Sequence, residues 1–167
     1  MKKNILIIPI IYLFLTLNAF SAGSGGNDGG GEEGKSKTNY EKAVVHIKFA
    51  KKHEKKDKLD KAKKRYEKAQ KLLIKSNLEK PNNADTLNYL GFTTRKLGDY
   101  ENGEKYYLQG LALEPNHIGI NEYLGELYVA TNRIDLANER LQILESCNCK
   151  EYDSLKQIIA GTKKSKY

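Results

Sequence analysis

The sequence predicts an all-α fold built from stacked helix pairs, and three observations carry that expectation. The Leu90-Gly91 step recurs as Leu124-Gly125, 34 residues further on, and a fixed period of this size marks a repeat architecture. Apolar residues between the steps recur at helical rather than alternating spacing, as in Leu87, Leu90 and Thr94 with Tyr89 and Phe92 on an adjoining strip. Helix breakers, Gly98-Asp99 and Pro115-Asn116, punctuate the periodic stretches. The composition agrees: 30% charged, 9% aromatic and no tryptophan over 167 residues describes one polar helical domain.

Residues 84–117 are expected to form one complete pair. The first helix ends near Leu97, Gly98 supplies the left-handed residue that closes it, and Asp99 caps the next. Tyr100, Tyr107, Leu108, Leu111 and Leu113 give the second helix an apolar side, which Pro115 ends. Gly91, Gly103 and Gly110 read as small residues at a close seam. A glycine inside a helix costs about 1 kcal/mol relative to alanine, so Gly103→Ala is expected to raise the melting temperature.

The order Leu90-Gly91, Gly98-Asp99-Tyr100, Tyr107, Pro115-Asn116 resembles the tetratricopeptide repeat (TPR) family. The resemblance implies a TPR-like right-handed solenoid of about three antiparallel helix pairs plus a C-terminal capping helix. It also implies a concave groove lined by the first helix of each pair. Residues 40–83 read as an irregular basic first repeat, with Val44, Val45, Ile47, Phe49 and Ala50 in its first helix, a turn near Asp57-Lys58, and a second helix extended to near Leu78. Residues 118–149 read as the third repeat, with Asn132 at the place of Gly98 and Ala137, Leu141 and Leu144 as its seam. A closing helix over 150–161, with Tyr152, Leu155, Ile158 and Ile159 as its apolar strip, covers the last repeat. A basic tail follows over 162–167.

Ahead of the repeats, residues 1–22 read as a secretory signal: Lys2 and Lys3, an apolar centre from Ile5 to Leu17, and small residues Ala19 and Ser21 before Ala22. The expected location is exported, most readily periplasmic. The alternative is tethering by an uncleaved N-terminal segment, against which stand the shortness of the apolar run and Pro9 within it. Residues 23–39 are a flexible Gly-rich linker, and without a preceding strand their glycines do not make a phosphate loop.

Charge is unevenly spread. Residues 35–80 carry 17 Lys/Arg against 6 Asp/Glu, a balance of +11, whereas residues 81–167 carry 10 against 12, a balance of −2. A solvated helical face is the plain account. An anionic envelope surface or polyanion held through residues 48–75 is the sharper one, with nucleic acid disfavoured because no aromatics interleave the charges to stack bases.

No nucleophile motif or carboxylate pair stands out, His46 and His53 are too far apart along one helix to share a metal, and His117 falls in a turn as a capping or surface residue. The expectation is therefore no enzyme, no cofactor, no metal and no small-molecule substrate. A protein or peptide partner is implied by the TPR resemblance, with groove residues Asn88, Phe92, Arg95, Lys96, Glu122 and Glu126, joined by Asp85, Val129 and, from the first repeat, Ile47, Lys51, Glu54 and Lys55. In that reading Arg95, Lys96 and Asn88 hold a carboxylate and Phe92 is the apolar anchor.

The run 84–159 further resembles small exported proteobacterial TPR proteins that end in two cysteines and a segment like Glu151 to Leu155; here the cysteines stand closer together than in that group. Cys147 and Cys149 leave three readings open: a structural disulfide closing a small ring, free or intermolecular thiols, or a redox pair.

Overall fold

A computed structural model describes residues 36–165 of the chain. The signal read over 1–22, residues 23–35 of the linker and the last two residues of the tail lie outside the described residues. Seven α-helices are described: α1 (Asn39–Glu54), α2 (Leu59–Glu79), α3 (Ala84–Lys96), α4 (Tyr100–Leu113), α5 (Ile118–Ala130), α6 (Ile134–Leu144) and α7 (Lys150–Ile159), with a 3-10 turn at Glu145–Cys147 before the last. They pack as hairpins α1–α2, α3–α4 and α5–α6. Hairpins meet where α2 lies on α3 and α4 on α5, while α7 lies on α5 and α6.

The first helix starts earlier than the linker reading allowed. The Thr38 hydroxyl accepts from the Glu41 amide at 3.2 Å, and the Glu41 carboxylate accepts from the Thr38 amide at 2.8 Å. This reciprocal cap places Asn39 in a helix rather than at the end of a flexible segment. The Thr-x-x-Glu spacing was its signal.

Each hairpin reverses through a single residue in the left-handed conformation: Asp57 (φ 53°), Gly98 (φ 98°) and Asn132 (φ 57°). Asn82 and Asn148, also left-handed, serve the passages into α3 and α7. Side-chain caps then start the next helices. Asn83 accepts from the Thr86 amide at 2.8 Å, Asp99 from the Asn102 amide at 3.1 Å, and His117 Nδ1 from the Ile120 amide at 3.2 Å.

Two apolar clusters hold the hairpins together. Ala43, Ile47 and Ala50 of α1 meet Ala62, Tyr66, Ala69 and Leu73 of α2 and Leu87, Leu90 and Phe92 of α3. Tyr107 and Leu111 of α4 meet Ile120, Leu124, Leu127 and Tyr128 of α5 and Ala137 of α6. Some residues expected on apolar seams are exposed instead: Val45 and Phe49 on α1, and Tyr100, Leu108 and Leu113 on α4. In α1 the seam is set by Ala43, Ile47 and Ala50, and residues two positions off that line point away from it.

The glycine seam is tighter than helix propensity alone suggests. A Cβ on Gly91 would lie 2.6 Å from the ring of the fully buried Tyr107, and one on Gly103 would lie 3.1 Å from the Gly91 carbonyl oxygen and 3.2 Å from Arg95 Cβ. The neighbours of Gly103 are backbone and the root of a buried side chain, which give little. The expected gain of Gly103→Ala is thus reversed: about 1 kcal/mol of propensity is outweighed by an overpacking cost of about 1–3 kcal/mol. Thermal unfolding followed by circular dichroism is expected to show a lower midpoint for Gly103→Ala and a larger drop for Gly91→Ala. A raised midpoint for either would mean that α3 and α4 do not approach this closely.

Candidate functional site

The first helices of the three hairpins share one face, and aromatic side chains fill much of it. Tyr40 of α1 stands 5.9 Å from Tyr89 of α3, and Phe92 of α3 stands 5.0 Å from Tyr123 of α5, ring centre to ring centre. Lys51 of α1 reaches across both: its ammonium lies 4.4 Å above the Phe92 ring and donates to the Tyr123 hydroxyl at 3.1 Å. Burial holds the Tyr123 and Tyr66 phenols well above the usual tyrosine range, with the nearby Glu122 and Glu54 carboxylates adding to it respectively. Both phenols are therefore neutral; that of Tyr123 accepts from Lys51 and that of Tyr66 donates to Glu54.

This packing changes the reading of the expected groove residues. Phe92, expected as an open anchor, is 1% exposed, lying edge-on to Tyr66 and beneath Lys51. Arg95 is 2% exposed; its guanidinium donates to the Tyr123 carbonyl at 2.6 Å and stands 3.7 Å from the fully buried Glu126. Lys96 pairs with Glu54 at 2.5 Å, and Glu54 also accepts from the Tyr66 hydroxyl at 2.9 Å. Asn88 is buried with its amide against Gly119, Ile47 is core, and Asp85 bonds His117 at 3.2 Å. In this arrangement Phe92, Arg95, Lys96, Asn88 and Glu126 tie hairpin to hairpin. Between the second and third hairpins, close stacking is permitted by Gly110, where a Cβ would meet Ile120, and by Gly119, where one would meet Asn88.

Of the six, Glu122 reaches an open space. A cleft of about 340 Å³ is lined by Lys51 of α1, Glu122 and Tyr123 of α5, Lys150, Glu151 and Ser154 of α7, and Lys163. The Lys163 ammonium donates to Ser154 Oγ at 2.7 Å, so the start of the basic tail folds back onto α7. Cys147 and Cys149 are joined by a disulfide, with Cα atoms 5.2 Å apart and Asn148 left-handed between them. The bridge sits immediately before α7 and so fixes the point from which Lys150 and Glu151 enter the cleft wall. Among the described residues, no three His, Cys, Asp or Glu side chains stand close enough to share a metal ion.

Tyr123 had a sequence signal that went unused. It precedes Leu124-Gly125 as Tyr89 precedes Leu90-Gly91. The contributions of Lys150, Glu151, Ser154 and Lys163 had none, since the rotation of α7 depends on the bridged turn before it.

Among solved structures, the first TPR domain of Spaghetti (RPAP3), bound to the HSP90 peptide SRMEEVD, superposes with a TM-score of 0.52 at 18% identity, covering 75% of this chain and 95% of that one. The fold is a tetratricopeptide-repeat fold. The Arabidopsis OM64 TPR domain is also similar, with a TM-score of 0.47 and 15% identity over 75% of this chain and 99% of that one. No protein-family model matches the chain, and no curated protein matches it.

Within this TPR array the buried Arg95–Glu126 pair joins the second hairpin to the third. Removing one partner leaves the other charge buried, at a cost of about 3–5 kcal/mol. Glu126→Gln is expected to lower the denaturant midpoint accordingly, and Arg95→Met combined with Glu126→Leu to recover much of the loss. Equal stability of Glu126→Gln and the parent in urea unfolding would show that the pair is not desolvated.

Proposed function

We propose that the chain is a non-enzymatic protein- or peptide-binding scaffold, and that its ligand is a carboxylate-bearing peptide held in the cleft between α1, α5 and α7. The observation that carries this reading is the cleft itself. On a first-helix face otherwise closed by aromatic packing, it is bordered by three lysines, Lys51, Lys150 and Lys163, beside Tyr123. Ammonium groups on flexible stems suit carboxylates through charge-assisted hydrogen bonds. Glu122 and Glu151 on the same walls favour a ligand whose acidic groups are spaced rather than a uniform polyanion. The RPAP3 domain, solved with a peptide bearing three acidic residues, lends support to this class of ligand.

The scaffold works outside the cytoplasm, in the cell envelope. The charged start and apolar centre of residues 1–22 support this. So does a cysteine pair joined in a disulfide, a bond that persists in oxidising compartments.

The test is fluorescence anisotropy with a dye-labelled, C-terminally amidated SRMEEVD peptide and the amidated counterpart SRMQQVN, which carries no carboxylate. The acidic peptide is expected to bind and its counterpart to bind at least ten-fold more weakly. Lys150→Glu, on a side chain that is 91% exposed, is expected to weaken the acidic peptide at least ten-fold without changing the melting temperature. Equal binding of the two peptides, or an unaltered Lys150→Glu, would refute the cleft as a carboxylate site.

A further inference from the structure

We propose that the outward face of α1 is a docking surface for anionic lipid headgroups, which borders the peptide cleft at Lys51. Val45 and Phe49, one turn apart, are 38% and 45% exposed. They lie in an open groove of about 620 Å³ whose other walls are Lys48, Lys51, Lys52 and Lys55. Lys42 continues the same face at helical spacing and is exposed, and Lys56, in the turn that follows α1, is exposed as well. Arg65 of α2 places its guanidinium 5.4 Å from the Phe49 ring.

Opposing charge is scarce. Between Glu41, which is engaged in the helix cap, and the end of α1, the one acidic residue is Glu54. That residue is turned inward onto Lys96 and Tyr66.

Two uncovered apolar side chains set among ammonium groups match a lipid surface better than the other anionic partners. A headgroup layer offers phosphates at its outer plane and hydrocarbon a few ångströms below, so lysines and apolar tips are satisfied together. Nucleic acid would use the lysines and one ring but would leave Val45 in water. An extended acidic peptide would use the charges along one line only, whereas the lysines flank Val45 and Phe49 on both sides. Among the described residues no helix is long and apolar enough to cross a membrane.

Vesicle flotation tests this with residues 23–167, which retain the whole compact unit Lys35–Tyr167 and omit the apolar run 5–17, itself able to partition into lipid. At low salt the protein is expected to float with phosphatidylglycerol/phosphatidylcholine vesicles and not with phosphatidylcholine alone. Raising salt to half-molar should release most of it, because headgroup attraction is screened. Lys48→Glu combined with Lys52→Glu and Lys56→Glu should reduce partitioning more than ten-fold. Val45→Ser with Phe49→Ser should reduce it several-fold, and Lys150→Glu, in the peptide cleft, should leave it unchanged. Failure to float with anionic vesicles, or equal flotation with neutral ones, overturns the proposal. Undiminished binding of the serine variant also overturns it, in favour of a charge-only polyanion surface. The comparison of anionic with neutral vesicles needs no variant and can overturn the proposal even if one misfolds.

Discussion

Arg95 is the residue on which the junction of the second and third hairpins converges. It sits on α3, beneath the glycine of α4 that lets the two helices close, and its guanidinium reaches α5 through the Tyr123 carbonyl and the Glu126 carboxylate. A buried ion pair is seldom the most stabilising way to fill a core, because desolvation consumes much of the Coulomb gain. Its value here is positional. A guanidinium with fixed donors accepts few arrangements, whereas apolar seams of similar size tolerate sliding. The pair therefore defines how the second and third hairpins register.

The same arrangement explains why the first-helix face is largely closed. Small residues at Gly91 and Gly103 bring α3 and α4 together, and Phe92 is carried under Lys51 and against Tyr66 and Tyr123. What stays open lies towards α7, where the closing helix packs on α5 and α6. The cleft is thus a by-product of how the array is finished, and the bridged turn at Cys147–Cys149 is part of its architecture.

Much of the fold was legible in the residues because its determinants are local. The turn at Gly98, the cap at Asp99 and the left-handed Asn132 each follow from one side chain's own conformational preference. The site was less legible because it depends on which polar residues become buried. Nothing in the text of the sequence separates Arg95, which is internal, from Lys150, which is almost fully exposed; both read as surface cations. Phe49 and Phe92 show the same ambiguity in reverse, one exposed and one buried, on first helices of successive repeats. Distinguishing them required the neighbouring hairpin.

The single left-handed residue at each hairpin bend has a consequence for how such an array can change over time. Because a helix advances by about 100° per residue, lengthening one bend by a single amino acid and keeping the helix in place would swing its buried stripe by more than a quarter turn. Tyr66 or Tyr107 would then face water, and the next hairpin would meet a polar wall. Whole units can be duplicated or lost without this penalty, since the phase is restored after each complete repeat. Growth by copying is therefore open to this architecture, whereas a small insertion at these corners is tolerated only where the turn itself absorbs it.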